Sequence, residues 1–283
     1  DSTSFRAPSR VDVAANGTVY VTDFRSVFHY SPEGQSLSVL PRETFPTDPL
    51  SVTLQIAAGD GSPEGIVGLG TCIQGANSMP CLGYFKKGTK DWKGEPRDYL
   101  EVQWTTTLPQ DAEATSVHYD PYNDLILLLD NANQKLYVYK KLMRGRREEV
   151  NLGGTDRNAL YADVASGPDG RLYVLDVLRD EAQVYRADGG LLRKVKVPAD
   201  AWRIAGASKG TFFVLTAFGE VVGVDEAGAV FARFDARPNV NAQPRNLSDL
   251  SVAPDGRVFV ADRQASLISV FAPAEGAAEV RAG

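Results

Sequence analysis

Residues 249–262 read DLSVAPDGRVFVAD, in which two apolar runs flank a Pro-Asp-Gly sequence. This pattern predicts a strand, a tight turn and a second strand. The pattern recurs as DVASGPDGRLYVLD at 163–176 and as RVDVAANGTVYVTD at 10–23. Weaker copies read VHYDPYNDLILLLD at 117–130 and RIAGASKGTFFVLT at 203–216. A segment that recurs in this way is a structural unit, so we predict a chain built from repeats.

A second strand pair follows each copy, as in EAQVYRADGGLLRKVKVP from Glu181. One unit is therefore four consecutive antiparallel strands, which we label a to d. Three successive units begin at Asp163, Arg203 and Asp249, which are 40 and 46 residues apart. Residues 41–110 hold four further strand-like runs, separated by enlarged loops around GDGSPEG and KGTKDWKGEPRD. We interpret this stretch as a decorated unit, the second along the chain, which brings the total to six.

Tandem four-stranded units of this length predict an all-β fold, a six-bladed β-propeller of four-stranded antiparallel blades. We expect a single domain over 1–283, with blades at approximately 8–40, 45–109, 113–153, 160–198, 201–237 and 246–283. Radial packing buries both faces of each sheet, which explains the continuous apolar run LILLL at 125–129. A β-sandwich would also explain short strands, but it gives no reason for the repeated signature.

The motif P-D-G, R-[LV]-[YF]-V-x-D, followed by a strand with V-[YF], resembles the NHL repeat. The resemblance is strong at 163–189 and 249–276, good at 10–34, weaker at 117–140 and 203–228, and poor in blade 2. It implies the propeller fold and says little about function, because one fold hosts many activities. Proteins with similar propellers serve as protein-binding platforms, RNA binders, extracellular sensor domains and, in a few cases, lyases or hydrolases.

The sequence shows no catalytic, metal-binding or cofactor-binding set. The two histidines are His29 and His118. We align His118 with Val11 and Val164, at the inter-blade packing position of strand a, and interpret it as a packed, hydrogen-bonded residue. A recurring aspartate ends strand b, where a carboxylate accepts hydrogen bonds from the N–H groups of the following turn. These aspartates are Asp23, Asp130, Asp176 and Asp262.

Charge and hydropathy argue against two classes of partner. The net charge of -6 disfavours a phosphate-binding surface, and the sequence shows no basic face with aromatic residues, so we expect no nucleic-acid partner. No apolar run approaches the ~20 residues that a membrane-spanning helix needs, so we expect no transmembrane segment.

One end of the ring should carry the b–c turns and the d–a connections, and we name this end the b–c face. Arginine and aromatic side chains favour protein contacts. The candidate binding residues are Phe24, Arg25, Asn131, Arg179, Trp202, Arg245 and Arg263, together with the loop from Cys72 to Cys81. We therefore predict a non-enzymatic, extracytoplasmic module that binds another protein as part of a larger envelope or extracellular assembly. The alternative is a channel-mouth enzyme, a lyase or a lactonase-like hydrolase, or a small-molecule binder.

The two cysteines bear on the compartment. We place Cys72 at the end of strand b and Cys81 at the start of strand c in blade 2, with a hairpin loop between them. Facing strand ends can approach the ~5.5 Å Cα separation of a disulfide. We predict a Cys72–Cys81 disulfide, which would indicate an oxidising compartment and a secreted or periplasmic protein.

The first position of strand a alternates in charge around the ring, as Asp163, Arg203, Asp249 and Arg10. Strand a is innermost, and unpaired charges near the axis would be costly, so we predict a salt-bridged arc at the channel mouth. Blade 3 interrupts this series with Val117. We expect the ring to close by face packing of blade 6 on blade 1. Residues 277–283 would form the outer strand of blade 6, and residues 1–7 would form an arm.

Overall fold

The structure is a computed structural model that describes residues 5–23, 26–41, 50–57, 65–74, 77–109, 111–140, 147–152, 159–236 and 246–272. These residues form 23 strands and no α-helix. The strands assemble into six antiparallel sheets, one for each predicted blade, which confirms the all-β six-bladed propeller. Within the described ranges, no helix has the length and apolarity that a membrane span requires.

The first three blades follow one another along the chain. Blade 1 contains β1 (Arg10–Val13), β2 (Val19–Thr22), β3 (Ser26–Tyr30) and β4 (Ser36–Pro41). Blade 2 contains β5 (Leu50–Ala57), β6 (Gly65–Gln74), β7 (Asn77–Trp92) and β8 (Glu95–Thr107). Blade 3 contains β9 (Ala114–Asp120), β10 (Leu125–Asp130), β11 (Lys135–Lys140) and β12 (Arg147–Asn151).

The remaining blades complete the ring. Blade 4 contains β13 (Tyr161–Ser166), β14 (Leu172–Asp176), β15 (Glu181–Tyr185) and β16 (Leu191–Lys196). Blade 5 contains β17 (Ala201–Gly206), β18 (Phe212–Thr216), β19 (Glu220–Val224) and β20 (Val230–Asp235). Blade 6 contains β21 (Leu247–Val252), β22 (Val258–Asp262) and β23 (Leu267–Phe271) within the described residues. The predicted outer strand at 277–283 lies outside them.

The core lies between the blades. The innermost strands β1, β5, β9, β13, β17 and β21 contact one another in this order and close the circle. Strand β10 shows why its sequence is apolar throughout. Its residues Ile126 and Leu128 pack into a cluster with blade 2, whereas Leu127 and Leu129 pack into another cluster with blade 4. A strand buried on both faces cannot alternate apolar and polar residues.

Blade 6 packs face to face on blade 1, as predicted. Val11, Phe28, Phe259 and Ala261 belong to one apolar cluster between the two blades. Residues 5–7 form no strand. The ring of Phe5 packs against this same cluster, and Ala7 N donates to Ser266 Oγ of blade 6 at 3.1 Å. The ring therefore closes here through side-chain packing and hydrogen bonds, with no strand exchanged between the described parts of the two blades.

The aspartates that end strand b stabilise the following turn, which confirms their predicted role. Each accepts a hydrogen bond from a backbone N–H in the turn at 2.8–3.2 Å. Three of them also accept one from the d–a connection that precedes their blade, at 3.0–3.3 Å. These three are Asp23, Asp130 and Asp176, and each therefore ties the b–c turn of its blade to the entry of the same blade.

Blade 2 differs from the prediction. The segment KGTKDWKGEPRD was expected to be a loop, but it continues β7 and β8 as a long hairpin. Lys93 and Gly94 form the turn, and both have positive φ values, 57° and 89°. A two-residue turn with this backbone matches the twist of the flanking strands. Lys87 Nζ pairs with Asp98 Oδ2 across the hairpin at 2.7 Å.

The predicted loop between the two cysteines is also wrong. Strand β6 continues to Gln74 and β7 begins at Asn77, so Cys72 and Cys81 lie within strands. The register pairs Cys72 with Met79 and Gly70 with Cys81, so the cysteines are two positions out of direct register on neighbouring strands.

Candidate functional site

A β-bulge recurs at the start of strand a in blades 3, 4, 5 and 6. A bulge turns the residue that follows it, and here that residue lies at the axis. These residues are Ser116, Asp163, Arg203 and Asp249. Each pairs with the penultimate residue of strand b in its own blade. Arg10 has the same place in β1, opposite Thr22. We name these five residues the axial arc.

The register corrects two predictions for blade 3. Ser116 occupies the arc position, not Val117, because blade 3 has one residue more between this position and the end of strand b. Val117, not His118, is therefore equivalent to Val11 and Val164. His118 has the same position in strand a of blade 3 as Asp12 has in blade 1, and both residues line a cavity on the ring axis, here called the axial cavity.

The four charged residues of the arc meet near the axis. Arg10 Nη1 lies 3.4 Å from Asp249 Oδ1 and 3.8 Å from Asp163 Oδ1. Arg203 Nε lies 3.4 Å from Asp249 Oδ1. The pairing differs from the predicted one, because Asp163 pairs with Arg10 from the opposite side of the ring and forms no ion pair with Arg203.

The carboxylates of the arc also accept backbone hydrogen bonds. Val11 N donates to Asp249 Oδ2 at 2.9 Å, and Ile204 N donates to Asp163 Oδ2 at 3.1 Å. An innermost strand is an edge strand, whose N–H groups need partners other than a ladder. Each aspartate therefore joins its own blade to the next blade around the ring.

Arg10 connects the largest number of blades in the arc. Its Nη2 donates to Ser116 Oγ at 3.3 Å and to the Val117 carbonyl oxygen at 3.2 Å, in addition to both ion pairs. Ser116 Oγ donates in turn to Asp163 Oδ1 at 2.6 Å. One side chain of blade 1 thus contacts blades 3, 4 and 6, and its guanidinium fills the axis at this end.

Burial and charge act against each other in the arc. Burial raises the pKa of the Asp249 carboxyl to about 6, although the guanidinium groups of Arg10 and Arg203 act in the opposite direction. Burial acts to lower the pKa of Arg10, but the carboxylates of Asp249, Asp163 and Asp12 raise it above its ordinary value. The opposite charges of Arg10 and Asp249 therefore offset part of the cost of burying each other.

A cavity of about 50 Å³ extends from the arc toward the a–b turns. Asp12, His118 and Ser166 line it from blades 1, 3 and 4, and Tyr122 lines it at the a–b turn of blade 3. His118 Nε2 lies 3.0 Å from Ser166 Oγ, so this histidine is hydrogen-bonded as predicted, but it lies at the axis and not at the predicted packing position of strand a. Among the described residues, no group of three or more His, Cys, Asp or Glu side chains could hold a metal ion.

The predicted partner residues of the b–c face have different surroundings. Asn131 Oδ1 accepts a hydrogen bond from Tyr161 N at 3.0 Å, and Arg179 Nη1 pairs with Asp176 Oδ2 at 2.7 Å, so both stabilise local structure. Trp202 is half-buried, and the guanidinium carbon of Arg203 lies over its ring, 4.2 Å from the ring centroid. Arg263 is exposed. Phe24, Arg25 and Arg245 lie outside the described residues.

Three large apolar residues on this face were missed by the prediction. Leu160, Leu178 and Phe218 are 41%, 62% and 76% exposed. Leu178 and Phe218 lie in the b–c turns of blades 4 and 5, and Leu160 lies beside the first turn because its carbonyl accepts Val177 N at 2.9 Å. We name Leu160, Leu178, Trp202 and Phe218 the apolar turn cluster. The sequence did carry a signal for these residues. The corresponding turns of blades 3 and 6 read NANQ and RQAS and contain no large apolar residue.

A ring of four-stranded antiparallel sheets defines a β-propeller, and the comparisons find solved structures that share the fold of this chain. A streptogramin B lyase superposes with a TM-score of 0.54 at 12% identity, over 91% of each chain. Virginiamycin B lyase from Staphylococcus aureus gives 0.53 at 9% identity, over 90% of this chain and 92% of that one. Hsv2 from Kluyveromyces lactis gives 0.56 at 10% identity, over 98% and 97%. At these identities the likeness shows the fold alone.

No family model matches the chain, and no curated protein sequence matches it. The resemblance to the NHL repeat stays a prediction.

Proposed function

We propose that this chain is an NHL-repeat-like propeller that binds another protein through its b–c face and catalyses no reaction there. The apolar turn cluster carries the proposal. Water-exposed turns normally hold small or polar residues, as the turns of blades 3 and 6 do. Leu178 and Phe218 instead expose large apolar side chains in the b–c turns of two adjacent blades, and exposed apolar surface is typical of protein-binding sites. Trp202, a residue type enriched at binding hot spots, lies on the same face.

The arrangement at the b–c end of the ring axis favours a partner that binds the surface over a ligand that binds inside the channel. The buried ion pairs of Arg10, Asp163, Arg203 and Asp249 occupy the place where a channel-mouth ligand would bind. The cavity beyond them measures about 50 Å³, whereas pockets for drug-sized ligands measure roughly 300–1,000 Å³.

The test is a quantitative affinity purification with matched variants. The wild-type chain, a Leu178→Ser/Phe218→Ser double variant and a Leu37→Ser/Val230→Ser control are immobilised, and captured proteins are compared by mass spectrometry. Leu37 and Val230 are each 52% exposed but lie at the outer strands, so the control removes similar apolar surface elsewhere. We expect a partner captured by the wild type and the control to be lost by the double variant.

The captured partner is then purified and titrated against Trp202→Ala and Arg263→Ala. We expect weaker association for both variants. The melting temperature of Arg263→Ala should stay close to that of the wild type, because changes at exposed residues usually shift stability by no more than about 0.5 kcal/mol. Equal capture by all three baits, or loss with the outer-strand control alone, would contradict a partner site on the b–c face.

We further propose that the protein resides in an oxidising, secreted or periplasmic compartment, with Cys72 bonded to Cys81. The two cysteines lie on neighbouring strands, β6 and β7, at diagonal positions two residues out of direct register, and this proximity supports the pairing. Intact-mass measurement of the native protein after alkylation without reductant tests it. We expect no alkylated cysteine before reduction and two after it, and two alkylated cysteines before reduction would contradict the disulfide.

A further inference from the structure

The axial cavity places an acid and a hydroxyl near the two ring nitrogens of one imidazole. His118 Nε2 lies 3.0 Å from Ser166 Oγ, and His118 Nδ1 lies 4.0 Å from Asp12 Oδ2. The three residues come from β9, β13 and β1, on three different blades. The order, with the carboxylate on the Nδ1 side and the hydroxyl on the Nε2 side, is the one that activates a serine nucleophile.

The acid is held in place by its neighbours. Asp12 Oδ1 accepts hydrogen bonds from Val13 N at 2.9 Å and from Ser251 Oγ at 3.3 Å, and Oδ2 is the carboxylate oxygen 4.0 Å from the imidazole. A carboxylate on that side favours a proton on Nδ1 of the ring, so that Nε2 can accept the Ser166 hydroxyl proton.

The backbone fixes the position of the serine. Strands β13 and β17 approach so closely that a Cβ atom on Gly206 would lie 2.2 Å from the Ser166 carbonyl oxygen. Any residue other than glycine at 206 would push β13 away from this place. Ser166 is thereby held against the cavity wall beside His118.

We propose that Ser166 is a nucleophile for the hydrolysis of short-chain acyl esters, with His118 as the general base and Asp12 as a positioning residue. Ser166 Oγ forms a bond to the acyl carbon while His118 Nε2 takes the hydroxyl proton. The bond between the acyl carbon and the alcohol oxygen then breaks, and His118 returns the proton to the departing alkoxide. A water molecule hydrolyses the acyl-serine with His118 again acting as base, which releases the carboxylic acid and restores Ser166.

The size of the cavity limits the acyl group. About 50 Å³ is room for roughly three or four water-sized groups, which matches an acetyl group and excludes longer chains. The alcohol part of the ester would extend past Tyr122 toward the a–b turns, because the axial arc occupies the other end. This activity goes beyond the proposed protein binding and uses the opposite end of the ring.

The first test is covalent labelling. The native chain is treated with a fluorophosphonate that carries a small alkyl group, and the modified residue is located by peptide mass spectrometry. We expect labelling at Ser166, loss of labelling in Ser166→Ala and His118→Ala, and normal labelling in Ser38→Ala. Ser38 is the matched control, because its Oγ lies 2.9 Å from Nδ1 of the other histidine, His29, but it belongs to β4 and does not line the cavity.

The second test is turnover. We expect hydrolysis of 4-nitrophenyl acetate above that of 4-nitrophenyl octanoate, and a loss of about 100-fold or more in Ser166→Ala and in His118→Ala. Asp12→Asn is expected to lower kcat and leave KM nearly unchanged, as a positioning role requires. Melting temperatures show which variants are folded. Labelling at another residue, labelling that persists in folded His118→Ala, or equal hydrolysis by wild type and folded Ser166→Ala would overturn the proposal.

Discussion

The axis and the b–c face reverse the usual distribution of residues. The axis is buried but charged, since Arg10, Asp163 and Asp249 meet there. The b–c face is exposed but apolar at the turns of blades 4 and 5, where Leu178 and Phe218 extend into solvent. The buried charges have partners within the chain, whereas the exposed apolar side chains are left to solvent. The difference is consistent with ring assembly for the first region and with the proposed partner binding for the second.

The largest effect is expected from Arg10→Ala. This change would leave the buried carboxylates of Asp163 and Asp249 without their shared cation, and removal of one partner from a buried ion pair costs about 3–5 kcal/mol. Arg203→Ala is the matched control, because Arg203 makes one ion pair and is more exposed. We expect it to cost about 2 kcal/mol or less. Urea denaturation at pH 7 gives both values, and equal losses would contradict the central place of Arg10.

A pH-dependent effect of intermediate size is expected from Asp249→Asn. The pKa of Asp249 rises from 3.8 to about 6 on folding, so the wild type takes up a proton as it folds between these values. Its contribution to stability is thus fully present below pH 3.8 and is lost as the pH rises through 6. Asparagine does not titrate.

The free energy of unfolding of the wild type minus that of the variant should therefore fall by up to about 3 kcal/mol between pH 4 and pH 7. Denaturation curves across this range measure the difference. A difference that stays constant or grows with pH would show that the two arginines outweigh burial.

The smallest effect on stability is expected at the apolar turn cluster. Phe218→Ser should change the free energy of unfolding by no more than about 0.5 kcal/mol, because Phe218 is exposed. Phe213→Ala in the same blade is the contrast, since Phe213 is buried and its truncation should cost about 3–5 kcal/mol. A large loss of stability in Phe218→Ser would mean that this residue supports the fold rather than a partner.

The repeat was readable from the sequence because most blades place similar residues at the same packing and turn positions. The aspartate after strand b, the apolar strand pair and the turn recur at fixed positions, and so do their contacts. The arc was readable in part, because charge alternation at one position predicts pairing but not which charges pair. Arg10 pairs with Asp163 from the opposite side of the ring, and no local sequence pattern predicts a contact between blades so far apart in the chain.

The other sequence-based predictions that were wrong failed for local physical reasons. One extra residue in blade 3 moved Ser116 into the arc and His118 to the axis, and a fixed fourteen-residue frame cannot show such a shift. In blade 2, the glycines and charges of KGTKDWKGEPRD suggest a loop, but cross-strand pairs such as Lys87 and Asp98 extend the hairpin. Cross-strand pairing depends on register, which a single sequence does not reveal.

The contact between Asp249 and Val11 has a kinetic consequence. These residues are 238 positions apart, yet their hydrogen bond joins the last blade to the first. Contacts of this separation carry the greatest loop-closure entropy, so the junction of blades 6 and 1 should form after the barrier to folding has been crossed. Substitutions at this junction should then accelerate unfolding and leave the refolding rate nearly unchanged.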